Sequence, residues 1–134
     1  GKLKMVHHID FTNPYSEPVR QRILEAAETV NSHLKTGCKV MARGTYACTQ
    51  GPRLETDAEI RRLAHDGCDM VGMTGMPEAS LARELEIEYA SLALSVNWAA
   101  GLSEAPITLE DIHEVLEGGM EFVSAVITEI VQRS

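Results

Sequence analysis

The apolar positions of the chain recur with two different periods. From residue 17 to residue 36 the spacing is helical: Val19, Ile23, Ala26, Ala27, Val30 and Leu34 fall on one face. Ser16 is placed to cap that helix and Gly37 to stop it. Two short β-favouring runs follow, 38–42 and 45–49, divided by Arg43 and Gly44. A second helix is expected over 56–66, because Thr56 and Glu59 have the T-x-x-E spacing of a capping box and Gly67 ends the pattern. Residues 68–73, CDMVGM, predict a short buried strand, and 74–76 a loop. Pro77 then suits the first turn of a third helix carried by Ala79, Leu81, Ala82 and Leu85. Residues 89–96, YASLALSV, form the longest apolar run and predict a buried strand. Thr108 with Asp111 resembles another capping box, and Ile112, Val115, Leu116, Met120, Val123, Val126, Ile127, Ile130 and Val131 continue into a long terminal helix whose middle Gly118 and Gly119 weaken.

Strands alternating with helices predict an α/β fold with a parallel or mixed sheet flanked by helices. Residues 1–16, with His7, His8, Asp10, Asn13, Pro14 and Tyr15, predict an extended arm and a turn rather than the opening elements of an α/β domain. The 134 residues suit one domain, and 44% apolar against 24% charged residues is the balance of a folded globular chain. A net charge of -8, with twelve scattered Lys and Arg, argues against a nucleic-acid partner. The apolar runs fall short of a membrane span and the start has no signal-peptide pattern, so no membrane association is expected. Cys38, Cys48 and Cys68 make an odd count with no C-x-x-C, which suits a reducing cytoplasm rather than a disulfide framework. The five histidines lack zinc-site spacing.

Chemistry concentrates where the predicted strands end. The segments 49–55, 73–76 and 97–101 would lie side by side at the carboxyl edge of a parallel sheet, where α/β ligands bind. They bring a carboxylate (Glu55), an amide (Asn97), a hydroxyl (Thr74) and soft apolar surface (Leu54, Met73), a set suited to a flat heteroaromatic ligand. Each residue also has a plain structural reading. Glu55 can serve as a favourable charge beside a helix start, Asn97 as a turn residue, Thr74 as a cap and Met73 as core. Periodicity and spacing reach only an α/β domain with a ligand crevice.

Taken jointly, HHIDFTNPYSEPVR (7–20), GTYACTQGPRLETDAEIRRL (44–63), GCDMVGMTGMPEASLARE (67–84) and YASLALSVNWAAG (89–101) resemble the purine nucleoside phosphorylase and methylthioadenosine phosphorylase family. The similarity is greatest to bacterial members acting on 5'-methylthioinosine. GPRLET followed by VGMTGMPEA is a far more specific combination than a lone glycine-rich loop.

The resemblance implies phosphorolysis of a purine nucleoside: phosphate attacks C1' and the base departs, giving free base and a sugar 1-phosphate. Inorganic phosphate is the co-substrate, and no metal or organic cofactor is implied. The position of Glu55 would bind the purine N1 side and that of Asn97 the N7 and O6 edge. Asn at that place implies a 6-oxopurine such as methylthioinosine, inosine or guanosine, because an amide can donate to O6 whereas a carboxylate would repel it. Leu54 would pack on the base, Met73 beside the ribose, and Thr74 would contact phosphate or ribose. His8 would be offered to a neighbouring subunit's site near the sugar 5' group, which implies a homotrimer. Members of the family are about twice this length. Residues 1–134 are therefore expected to be the C-terminal half of a single nucleoside phosphorylase domain. The phosphate-binding residues would lie in the other half, and the chain alone would keep part of a purine site with little or no turnover.

Overall fold

The structure, a computed structural model, describes residues 8–34, 37–103 and 108–133. Its elements run α1 (Glu17–His33), β1 (Tyr46–Cys48), α2 (Asp57–His65), β2 (Met70–Gly72), α3 (Gly75–Glu84) and α4 (Leu109–Gln132). Helices α1 and α2 begin where the capping signals stand, whereas α3 begins at Gly75, two residues ahead of Pro77 and inside the expected 74–76 loop. Ser16 Oγ accepts from the Val19 N–H, and at α2 both halves of the Thr56–Glu59 capping box form. Gly37 and Gly67 follow α1 and α2 with positive φ, the backbone region that glycine enters without a Cβ clash. Asp111, half of the capping box expected at α4, has its side chain outside the described residues.

The core is the seam between the two longest helices. Ala26, Ala27 and Val30 of α1 are buried with Phe122 and Val126 of α4, and Ile23, Leu34, Ala125 and Ile130 pack around them. The paired alanines let the helix axes approach closely, and the α4 stripe at 3.6 spacing turns Phe122 and Val126 to the same face. Full burial of a side chain such as Val126 contributes about 1.5–3 kcal/mol.

The sheet has two parallel strands among the described residues, with Tyr46 opposite Met70, Ala47 opposite Val71 and Cys48 opposite Gly72. Helix α2 makes the crossover that parallel pairing requires. The ladder runs past the strands at both ends. Thr45 N–H reaches the Asp69 carboxylate at 2.7 Å, and Thr49 N–H donates to Gly72 O at 2.9 Å. Because the strands are parallel, the loop after β1 and the turn after β2 leave the sheet on the same side.

Two expectations are corrected. Residues 38–42 form no strand: Val40 and Met41 are exposed, and Ala42 O accepts from the Arg20 guanidinium at 2.6 Å instead of from a neighbouring strand. The run 89–96 is extended but carries no ladder among the described residues, and Leu92 is 36% exposed. A buried strand needs hydrogen-bonding neighbours as well as apolar cover, and among the described residues the segment's backbone meets only the Ser16 N–H, which donates to Tyr89 O at 2.7 Å. The two glycines within α4 differ in their surroundings. A Cβ at Gly119 would sit 2.6 and 2.7 Å from the Leu94 methyls, so Gly119 is the point at which α4 meets the 89–96 segment. Gly118, by contrast, faces open space.

The amino-terminal arm is tied down from residue 10 onward. The Arg83 guanidinium donates to Asp10 O at 3.2 Å and to Asn13 O at 2.7 Å, and the Tyr15 ring stacks on Tyr89 with centroids 6.2 Å apart. His7 lies outside the described residues. No described helix is long and apolar enough to cross a membrane.

Candidate functional site

Beyond β1 the chain passes Thr49, the cis Gly51–Pro52 bond and Arg53 before reaching Glu55. Each end of this loop is held. At its start, Thr49 N–H extends the ladder to Gly72 O. At its end, the Arg53 guanidinium pairs with both Glu59 carboxylate oxygens at 2.8 and 2.7 Å, while Glu59 also accepts from Thr56 N–H at 2.8 Å. The Arg53 charge and the Thr56 donors hold the Glu59 carboxyl far below the usual carboxylate range. The loop lies directly on the turn after β2: a Cβ at Gly51 would sit 2.7 Å from Met73 Sδ, so any larger residue there would require the Met73 thioether to turn away.

The turn itself is braced by Tyr46, whose Oη accepts from the N–H groups of Thr74 and Gly75 at 3.4 and 3.5 Å. Thr74 stands at the N-cap of α3, yet its hydroxyl makes no capping bond. The plain structural reading of Thr74 as a side-chain cap is thereby set aside.

The loop, the turn and the 89–96 segment border an open cavity of about 610 Å³. Leu54, Glu55, Met73, Thr74 and Asn97 all line it, together with Tyr46, Glu78 and Tyr89. Five of the six residues singled out from the sequence therefore share one cavity. His8 does not: it is exposed and stands apart from the lining. Glu55 is half-buried, and one of its carboxylate oxygens accepts from Thr49 Oγ1 at 2.5 Å. Asn97 is exposed, and its Nδ2 donates to Trp98 O at 2.7 Å. That bond uses one of the two amide donors and leaves the carbonyl lone pairs out of it.

Leu54 (60% exposed) and Met73 present apolar surface in the same space as these polar groups. A planar ring with donors and acceptors on its edge fits such a lining: soft side chains cover a face while a carboxylate and an amide read the rim. The expectations passed over Tyr46, Glu78 and Tyr89. Tyr89 Oη donates to Glu78 Oε2 at 2.6 Å, and this bond, with partial burial, pushes the phenol up to about 12. In the sequence Glu78 follows the helix-start signal at Pro77 and Tyr89 opens an apolar run, so each is absorbed by a secondary-structure reading. Nothing in their spacing links them.

Residues 2–132 match the phosphorylase superfamily. The chain belongs to that family. Among curated relatives in the superfamily, it is 56% identical over 132 residues to the probable S-methyl-5'-thioinosine phosphorylase of Pseudomonas syringae pathovar tomato, a match covering 98% of this chain and 51% of the relative. It is 46% identical over 114 residues to the 6-oxopurine nucleoside phosphorylase of Pyrococcus furiosus, covering 85% and 41% respectively. Among solved structures, the methylthioadenosine phosphorylase from Schistosoma mansoni in complex with adenine superposes with a TM-score of 0.84 at 30% identity, over 97% of this chain and 49% of that one. The chain thus has part of the nucleoside phosphorylase fold and spans about half the length of the curated relatives it matches.

Proposed function

We propose that residues 1–134 supply the base-recognising part of a purine nucleoside phosphorylase that prefers 6-oxopurines, 5'-methylthioinosine above all, and is the C-terminal part of one such domain. The observation that carries this reading is the single cavity joining the GPRLET loop, the Met73–Thr74 turn and Asn97. The name of the Pseudomonas relative, at 56% identity, supports the choice of substrate. In this reading Glu55 accepts from the purine N1–H. Asn97 donates to N7 and O6, where negative charge develops as the glycosidic bond breaks. Leu54 covers the base, Met73 lies beside the ribose, and Thr74 contacts phosphate or ribose. The phosphorylase works by positioning and electrostatic stabilisation, with inorganic phosphate as co-substrate and without metal or organic cofactor.

The protein is taken to be cytoplasmic and to act in purine salvage. It is further taken to be a homo-oligomer, a trimer in which exposed His8 serves a neighbouring subunit. Large apolar side chains at the surface, Leu85 (70% exposed) and Trp98 (71%) among them, support association, since such surface is usually covered in the working protein. Phosphate-dependent release of hypoxanthine from methylthioinosine, compared with adenine from methylthioadenosine, tests the reading. Equal or better use of the adenine substrate would remove the argument from Asn97.

A second reading, that this stretch alone binds purine without turnover, is favoured by the cavity lining, which among the described residues holds two carboxylates and no cationic side chain to receive phosphate. Calorimetry on residues 1–134 separates the two. Hypoxanthine binding that is indifferent to phosphate supports the silent module, and binding strengthened by phosphate supports the enzyme.

A further inference from the structure

The Thr49 hydroxyl has one proton and two acceptors in view: a Glu55 carboxylate oxygen, Oε1, at 2.5 Å and Gly72 O at 3.5 Å. The carboxylate oxygen is 1.0 Å nearer (2.5 against 3.5 Å) and ionic, so the hydroxyl proton goes to it, while Gly72 O accepts the Thr49 N–H at 2.9 Å. The donor is anchored, because that backbone bond makes Thr49 an extension of the parallel ladder. Glu55, by contrast, sits six residues further along a loop with no ladder of its own. Both residues are half-buried, where a charge-assisted bond is stronger than in water.

We propose that Thr49 is a positioning and specificity-determining residue: its hydroxyl pins Glu55 Oε1 and holds the carboxylate as an acceptor, leaving Oε2 to receive a ring N–H. The consequence is chemical. The N1 of a 6-oxopurine carries a hydrogen and donates to such an acceptor. The N1 of a 6-aminopurine offers a lone pair, which a fixed acceptor repels. A carboxylate free to rotate would discriminate less. Thr49 therefore acts on the choice of base through Glu55 and touches neither the sugar nor the phosphate. This inference rests on the 6-oxopurine reading above.

The test uses the intact protein with Thr49→Val, which keeps the shape and removes the donor, and Thr49→Ser, which keeps the donor. The readouts are kcat/KM for methylthioinosine and the inhibition constants of hypoxanthine and adenine. Loss of a charge-assisted bond to Glu55 is expected to weaken hypoxanthine inhibition and kcat/KM about tenfold in Thr49→Val, with adenine changed by less than about twofold and Thr49→Ser close to wild type. If Thr49→Val fails to fold, Thr49→Ala removes the same donor and carries the same expectation. An unchanged hypoxanthine-to-adenine ratio overturns the proposal, as does a Thr49→Ser as impaired as Thr49→Val. Failure of the underlying reading looks different: the wild-type protein itself would then show no preference for hypoxanthine.

Discussion

Two adjacent glycines in α4 should respond in opposite directions to the same added methyl. Gly118 faces open space, so Gly118→Ala brings only the helix-propensity gain, about 0.8–1 kcal/mol of added stability. Gly119→Ala brings the same gain, but its Cβ would stand 2.6 and 2.7 Å from the two Leu94 methyls and 3.2 Å from Leu94 Cγ. Ordinary carbon contacts lie near 3.5–4.0 Å, so roughly 1 Å of room is needed for the Leu94 methyls and a few tenths of an ångström for Cγ. Turning the Leu94 methyls alone does not provide it, since Cγ is also too close. Overpacking of this kind costs about 1–3 kcal/mol. Gly119→Ala should therefore be less stable than Gly118→Ala by about 1–3 kcal/mol, and level with or below wild type. Leu94 also lines the cavity, so the displaced wall should weaken hypoxanthine binding in Gly119→Ala and leave it intact in Gly118→Ala. Urea unfolding of the intact protein reads the first effect and calorimetry the second. Equal stabilisation by both alanines would refute the close approach of α4 to residue 94, and with it the account of how that wall is held.

The remaining expectations concern the site and its loop. Asn97→Asp should lower kcat/KM for methylthioinosine by about a hundredfold, the scale seen when one donor to a developing anion is lost; an unchanged rate would remove Asn97 from that role. Glu55→Ala should cost kcat/KM about tenfold or more by removing the acceptor for N1–H, checked by steady-state kinetics with hypoxanthine release. Glu59 gives a pH dependence of defined sign. Its folded-state pKa is depressed from 4.5, first by Arg53 and then by Thr56, so its stabilising contribution is complete above the unfolded value and is lost as pH falls below about 4.5 toward the depressed folded value. Glu59→Gln should accordingly lower the unfolding midpoint at pH 7, and the gap to wild type should narrow progressively below that pH. A gap independent of pH would refute the ionic part of the pair.

Local signals carried much of the fold. The capping box at Thr56 and Glu59, the cap at Ser16 and the periodic stripes placed all four described helices within a few residues, because helix ends are decided by the few backbone groups left without partners. The strand runs 45–49 and 68–73 were legible for a similar reason, as short β-favouring stretches between glycine and helix, although the burial expected of 68–73 fails at Met70, which is exposed. The runs 38–42 and 89–96 show the limit. Apolar composition permits a strand, but a ladder needs a neighbour in space, and among the described residues neither run has one.

For the site, sequence and resemblance together selected Leu54, Glu55, Met73, Thr74 and Asn97, and parallel strand ends were reason enough to expect three segments to meet. Residue identity and order along the chain determined which chemistry was available: a carboxylate, an amide, a hydroxyl and soft apolar side chains. What tertiary structure alone decided was how that chemistry is held. The Thr49 bond to Glu55, the contact of Gly51 with Met73, the Tyr46 phenol under Thr74 and the seat of Leu94 on Gly119 all join residues through space. Most of them span more than twenty positions, and no period or motif encodes such a distance. A chain dictates its helices through neighbours three and four residues apart, but it fixes a carboxylate's direction only when packing brings a distant donor within a hydrogen bond's length.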